Sequence, residues 1–364
     1  MEREDISIGN ILGRREFLKG VAALGALAAA ASVGGCLFSK KDELNVYNWS
    51  DYIGETTIEE FENEFGVKVN YDNYSSNDEL LAKVQAGGTG YDIIVPSDYA
   101  VQILHRGDDL EPIDMSKITN FGNIGEKFRS PPFDPGPPSA SQKYSIPYQW
   151  GTTGIGFNSA KVGEDVDSWS YLWDENYRDR ITMLEEMREV IATAFKILGY
   201  SVNDTDPSHL QEAKNLLMEQ KPLVFAYTSD TYMDFLASGE SWLSQGWSGD
   251  VYQVAADNED IRYVIPKEGA VIWMDNMAIP KGAPHVELAH EFINFILRPE
   301  VSAGISNYVW YANPNEASHQ YTEKEILEDP SIYPPTEVMA NLEFMEDLGT
   351  YEQELNRVWT ELLA

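Results

Sequence analysis

Between residues 44 and 98, apolar runs with strand character alternate with segments of helical spacing. That alternation most restricts what this chain can fold into. Leu44-Asn45-Val46-Tyr47-Asn48-Trp49 reads as a strand that runs into a loop. Ile58, Phe61 and Phe65 recur at helical spacing across residues 55–65, and Gly66 stops the helix. Val67-Lys68-Val69-Asn70-Tyr71 alternates as a second strand, and a helix over 77–85 ends before Gly87-Gly88. Tyr91-Asp92-Ile93-Ile94-Val95-Pro96 is a short apolar strand that opens into Ser97-Asp98-Tyr99. The order predicts an α/β domain with a largely parallel sheet. Ligands of such sheets bind beyond the carboxyl ends of strands, where Trp49 and Ser97 fall.

Residues 130–142 are rich in Pro and Ser and read as a surface loop. Tyr144 to Trp150 and then Gly151 to Asn158 read as extended segments at a domain crossover. A second α/β pattern runs from Trp169 to about Val271, with a helix over 187–198 and strands near Leu223-Val224-Phe225 and Tyr263-Val264-Ile265. Residues 275–280 then return to the first domain, an amphipathic helix covers 286–297, and helices are expected over 336–346 and 351–363. A chain of 364 residues accommodates two domains.

The N-terminus sets the compartment. Arg14-Arg15-Glu16-Phe17-Leu18-Lys19 reads as a twin-arginine export signal, followed by an apolar run over 20–35 too short to span a bilayer comfortably. Val33-Gly34-Gly35-Cys36 has the form of a lipoprotein cleavage box, so residues 1–35 are read as the signal and 36–43 as a lipid-anchored tether. Cys36 is the sole cysteine, which leaves no disulfide framework and no thiol for catalysis.

The net charge is −34. Such a surface repels a phosphate backbone and argues against nucleic acid. It also disfavours adhesion to anionic lipid heads, leaving the lipid on Cys36 as the membrane tether. A cationic ligand needs only a few carboxylates, so most of the charge is assigned to adaptation to high salt.

Three times a tryptophan is followed within three residues by an aspartate: Trp49/Asp51, Trp247/Asp250 and Trp273/Asp275. An aromatic face attracts a cation and a carboxylate pairs with its N–H donors, so the trio suits an organic ammonium ion; packing in a core is the competing reading. Glu185, Glu186 and Glu189 read equally as an acidic cluster or as a charged helix start favoured by the helix dipole. His285 and His290 are off the spacing that would put them on one helix face, so no metal site is expected. Gly151, Gly154 and Gly156 lack the third glycine and following helix of a dinucleotide fingerprint, so no cofactor is expected.

Several segments resemble the polyamine-binding proteins of ABC importers over roughly residues 43–360. They are Val46 to Tyr52, Asp92 to Ser97, Tyr144 to Gly151, Arg188-Glu189-Val190, Ile265 to Ala270, Phe295 to Glu300 and Ile332 to Pro335. The resemblance implies a two-lobed, periplasmic-binding-protein-like (type II) Venus-flytrap fold with two crossover segments. Residues 44–149 plus 275–318 would form one lobe and 150–274 plus 319–364 the other. It places ligand contacts on Trp49, Ser50, Asp51, Tyr52, Ser97, Tyr99, Glu186, Glu189, Trp247, Asp250, Trp273, Asp275 and Tyr311. Trp247-Ser248-Gly249-Asp250 has the form typical of putrescine binders, the Glu186/Glu189 pair is spermidine-like, and Met345 stands where spermidine binders use a glutamine.

The expected protein is thus an exported, monomeric lipoprotein, not an enzyme, that carries putrescine or spermidine to ABC permease subunits. The alternatives are a same-fold receptor for another organic cation and a polyamine sensor that does not transport.

Overall fold

A computed structural model describes residues 43–134 and 143–364. The export signal, Cys36 and most of the 130–142 loop lie outside the described residues. Among the described residues ten strands form one curled sheet: β1 Glu43–Trp49, β2 Lys68–Tyr74, β3 Ile93–Ile94, β4 Ser145–Asn158, β5 Ile181–Met183, β6 Val224–Tyr227, β7 Leu243–Trp247, β8 Ile261–Val264, β9 Ala270–Ala278 and β10 Leu342–Glu343. The main order is β2-β1-β3-β9-β4-β7-β5-β6, with β10 on β9 and β8 on β4.

The sheet is mixed rather than largely parallel. Both flanks are parallel as the alternation predicts, β2-β1-β3 on one side and β7-β5-β6 on the other. Between them β9 and β4 run antiparallel to each other and to their outer neighbours. The stretch read as two extended segments is one continuous strand, β4, buried along its whole length. Its first half pairs with β9 and its second half with β7 and β8, so β4 serves both flanks. The handover falls between Thr152, which faces Ile272 of β9, and Thr153, which faces Trp247 of β7.

Helices pack on each flank as the apolar spacing requires. Thr57–Phe65 buries Phe61 and ends at Gly66, whose φ of 69° is the left-handed cap that glycine adopts without strain. Asn77–Gln85 begins after Ser76, whose side chain caps it by accepting the Glu79 N–H. Met187–Leu198 and Glu352–Leu363 share a core with Trp169, Leu210 and Leu243. Val286–Ile296 packs Phe292 and Phe295 against Phe61.

One expected helix is largely absent. Of residues 336–346 only Thr336–Met339 is helical, and Leu342–Glu343 instead pairs with Ala270 and Val271 of β9. The open edge of β9 supplies backbone partners, and Leu342 and Phe344 pack on an apolar cluster around Trp150. Tertiary pairing there overrides local propensity.

Candidate functional site

Trp49 is the last residue of β1, at its carboxyl end. Its indole Nε1 donates to the Val95 carbonyl at 3.1 Å, and its ring lies 4.5 Å from Tyr74 and 5.6 Å edge-on from Trp247. Asp51 follows at φ 50°, a left-handed conformation that aspartate tolerates better than most residues. Tyr52 is buried, edge-on to Tyr148 and Tyr311.

Asp275, on β9, is buried, and Ser97 Oγ donates to its Oδ1 at 2.6 Å. Burial pushes its carboxyl up to about 7, with Ser97 and Tyr52 pulling the other way. Asp250 stands in the first turn of helix Ser248–Asp257. Its Oδ1 accepts from the Tyr311 hydroxyl at 2.5 Å and its Oδ2 from Tyr232 at 2.8 Å. Burial pushes it up to about 6 against those two phenols.

Glu189 is buried beneath the site. Thr153 Oγ1 donates to its Oε1 at 2.9 Å, whereas Oε2 has no hydrogen-bond partner among the described residues. Burial pushes it up to about 7, with Thr153 and Trp247 opposing. Glu186 accepts from the Tyr99 hydroxyl and from the Asn77 backbone N–H, each at 3.1 Å. Its carboxyl is held well above the usual range, first by burial and then by the charges of Asp78 and Glu189.

The sequence-predicted residues Trp49, Ser50, Asp51, Tyr52, Ser97, Glu186, Trp247, Asp250, Trp273, Asp275 and Tyr311 all line one cavity. Tyr99 and Glu189 do not line it; they sit behind Glu186 and Trp247. Six further lining residues were not foreseen: Tyr74, Ser75, Asn77, Ser229, Asp230 and Met233. Ser229 and Asp230 follow the carboxyl end of β6, so the rule that marked Trp49 and Ser97 also applies to them. Asn77 had no signal beyond its place at a helix start.

Among the described residues no lysine, arginine or histidine lines the cavity. Buried carboxyls crowded together without a counter-cation destabilise one another, and indole and phenol faces add negative potential. An organic cation with N–H donors relieves both. No cluster of His, Cys, Asp or Glu suited to a metal ion occurs among the described residues. His285 hydrogen-bonds Asp92, and His290 accepts the Asp114 N–H. The site is that of a protein that encloses a small molecule between strand ends.

Residues 56–334 match the family described as bacterial extracellular solute-binding proteins, and the chain belongs to that family. The putrescine/cadaverine-binding protein of Pseudomonas aeruginosa is 34% identical over 350 residues, covering 92% of this chain and 98% of that one. The spermidine/putrescine-binding periplasmic protein of Escherichia coli is 36% identical over 343 residues, covering 93% and 97%. A solved structure described as a putative spermidine/putrescine ABC transporter from Listeria monocytogenes superposes with a TM-score of 0.84. It is 38% identical, over 88% of this chain and 98% of that one.

Proposed function

We propose that this chain is an extracytoplasmic receptor that encloses a polyamine of the putrescine or spermidine class and delivers it to an ABC importer. The observation that carries this is an aromatic cavity holding Asp275, Asp250 and Glu186 with no basic side chain among the described residues of its walls. A flexible diamine has no shape of its own, so carboxylates must register its amine spacing while aromatic faces pack along its methylenes. Asp275, oriented by Ser97, takes one ammonium between Trp273 and Tyr52. Asp250, oriented by Tyr311 and Tyr232, takes negative charge to the other side. The protein has no catalytic role in this reading.

Residues 44–149 plus 275–318 form one lobe and 150–274 plus 319–364 the other. The handover of β4 from β9 to β7 between Thr152 and Thr153, a few residues past that boundary, supports the division. Closure about the two crossing strands encloses the ligand. The receptor is exported by the twin-arginine signal, anchored through Cys36, monomeric, and adapted to salt by its charge of −34.

A thermal-shift titration tests the ligand class. Putrescine at about a hundred times its Kd adds roughly 2.7 kcal/mol to the folded state and raises Tm. A shift with a neutral sugar and none with putrescine or spermidine contradicts the proposal.

A further inference from the structure

We infer that Glu186 is a positioning residue that latches the two lobes, and that Asn77 couples this latch to Asp275. The inference rests on the lobe division and ligand class proposed above. Glu186 immediately precedes helix Met187–Leu198 in the second lobe and is 3% exposed. Each of its oxygens is already taken by a donor of the first lobe, the Tyr99 hydroxyl on Oε1 and the Asn77 N–H on Oε2. Asn77 opens helix Asn77–Gln85, so its N–H is one of the first-turn donors that no intrahelical carbonyl can satisfy. A carboxylate from the opposite lobe fills that vacancy, and the positive end of the helix favours it.

The Asn77 side chain turns the other way. Its Nδ2 donates to Ser97 Oγ at 3.1 Å and its Oδ1 accepts the Ser97 N–H at 3.3 Å. Ser97 Oγ in turn donates to Asp275 at 2.6 Å. Asp275, Ser97, Asn77 and Glu186 therefore form one unbroken hydrogen-bonded chain that ends across the cleft. A ligand ammonium on Asp275 pins Ser97, and through Asn77 it pins the amide on which Glu186 rests.

The seam continues beside the latch. The Arg188 guanidinium lies 5.1 Å over the Tyr99 ring and is held from behind by Glu352 at 2.5 Å and the Glu346 carbonyl at 3.0 Å. Asp347 pairs with Arg106 and gives its N–H to Gln102, both on the helix that carries Tyr99. These contacts join the lobes without a ligand. Glu189 contrasts with Glu186, since its Oε2 accepts from no described residue.

A latch and an amine ligand respond differently to mutation. Loosening a latch lowers the closed fraction and reduces every ligand's apparent affinity by one common factor. Removing an amine ligand weakens a triamine and a diamine unequally. The test uses the full exported chain and its Tyr99→Phe, Glu186→Gln and Asn77→Ala variants. Small-angle scattering is recorded with and without ligand, and calorimetry with putrescine and spermidine.

Glu186→Gln and Tyr99→Phe are expected to enlarge the ligand-free particle. Each should weaken both polyamines by the same factor, about three- to tenfold. Combining Tyr99→Phe with Glu186→Gln in one chain should be no worse than Glu186→Gln alone. Asn77→Ala keeps its backbone N–H on Glu186, so its ligand-free profile stays as wild type while its affinity falls. A Glu186→Gln loss larger for spermidine than for putrescine, with Tyr99→Phe silent, overturns the latch. Wild-type affinity in Asn77→Ala overturns the coupling. Should the wild type bind neither polyamine, the ligand proposal fails, while the ligand-free profiles of Glu186→Gln and Tyr99→Phe still decide the latch.

Discussion

The Tyr311 hydroxyl donates to Asp250 Oδ1 at 2.5 Å and accepts the Asp250 backbone N–H at 3.2 Å. This double contact requires the Tyr311 ring to lie against Gly249. A Cβ added there would meet the ring at 2.5 Å, closer than real Cβ atoms come. The glycine of Trp247-Ser248-Gly249-Asp250 is thus a packing requirement of the site, as is Gly151, whose Cβ would meet the Trp273 ring at 2.7 Å.

Gly249→Ala displaces Tyr311 and loosens its hold on Asp250. Overpacking of this kind costs about 1–3 kcal/mol. Polyamine affinity is expected to fall about tenfold and Tm to drop, read by calorimetry and thermal melts of the same variant. Wild-type affinity and Tm in Gly249→Ala would show that the ring has room to move.

Asp275→Asn keeps the shape and an acceptor for Ser97 but removes the charge. A buried ammonium that loses its partner costs about 2–5 kcal/mol, so the affinity loss is at least about tenfold. Titration of the purified variant checks this, and unchanged affinity would move the amine site elsewhere.

What the sequence made legible followed physical periodicity. The flanking strands, helix Met187–Leu198 and the positions of Trp49 and Ser97 at strand ends all follow from alternation and helical spacing. The three tryptophan–aspartate pairs do converge, because the carboxyl ends of β1 and β7 and the middle of β9 border one cavity. The antiparallel centre was hidden, since β4 is buried along its whole length and its residue pattern does not give the direction of the strands beside it. Glu186 and Glu189 were indistinguishable from a charged helix start in composition, and only family resemblance singled them out. Leu342–Glu343 became a strand because its partners, Ala270 and Val271, lie far away in sequence, where no local window reaches.

Binding should release protons. Asp275 and Glu189 are pushed up to about 7 and Asp250 to about 6. A cation prefers the ionised carboxylates, so affinity rises as pH increases through 6 to 7. The same groups affect stability with the opposite slope. Their folded values exceed the unfolded ones near 4, so the folded chain holds more protons, and stability falls as pH rises from about 4 to about 7. Calorimetry at pH 7 in phosphate and in Tris, whose ionisation enthalpies differ, should give different apparent heats. Identical heats would mean that these carboxyls are already ionised.

Salt should stabilise the fold. A net charge of −34 repels itself most strongly at low ionic strength, where the screening length is about 30 Å at 0.01 M against about 3 Å at 1 M. Tm is expected to rise steadily with added sodium chloride into the molar range. A Tm that is flat or falling would remove salt adaptation as the reason for the charge.

Calorimetric titration of putrescine, cadaverine, spermidine and spermine at high salt decides whether the cavity around Asp275 takes a polyamine. Saturable one-to-one binding of at least one of them is expected, with Kd of about 1 μM or tighter, abolished or strongly weakened in Asp275→Asn. No binding by any of the four, or binding that Asp275→Asn leaves intact, would contradict it.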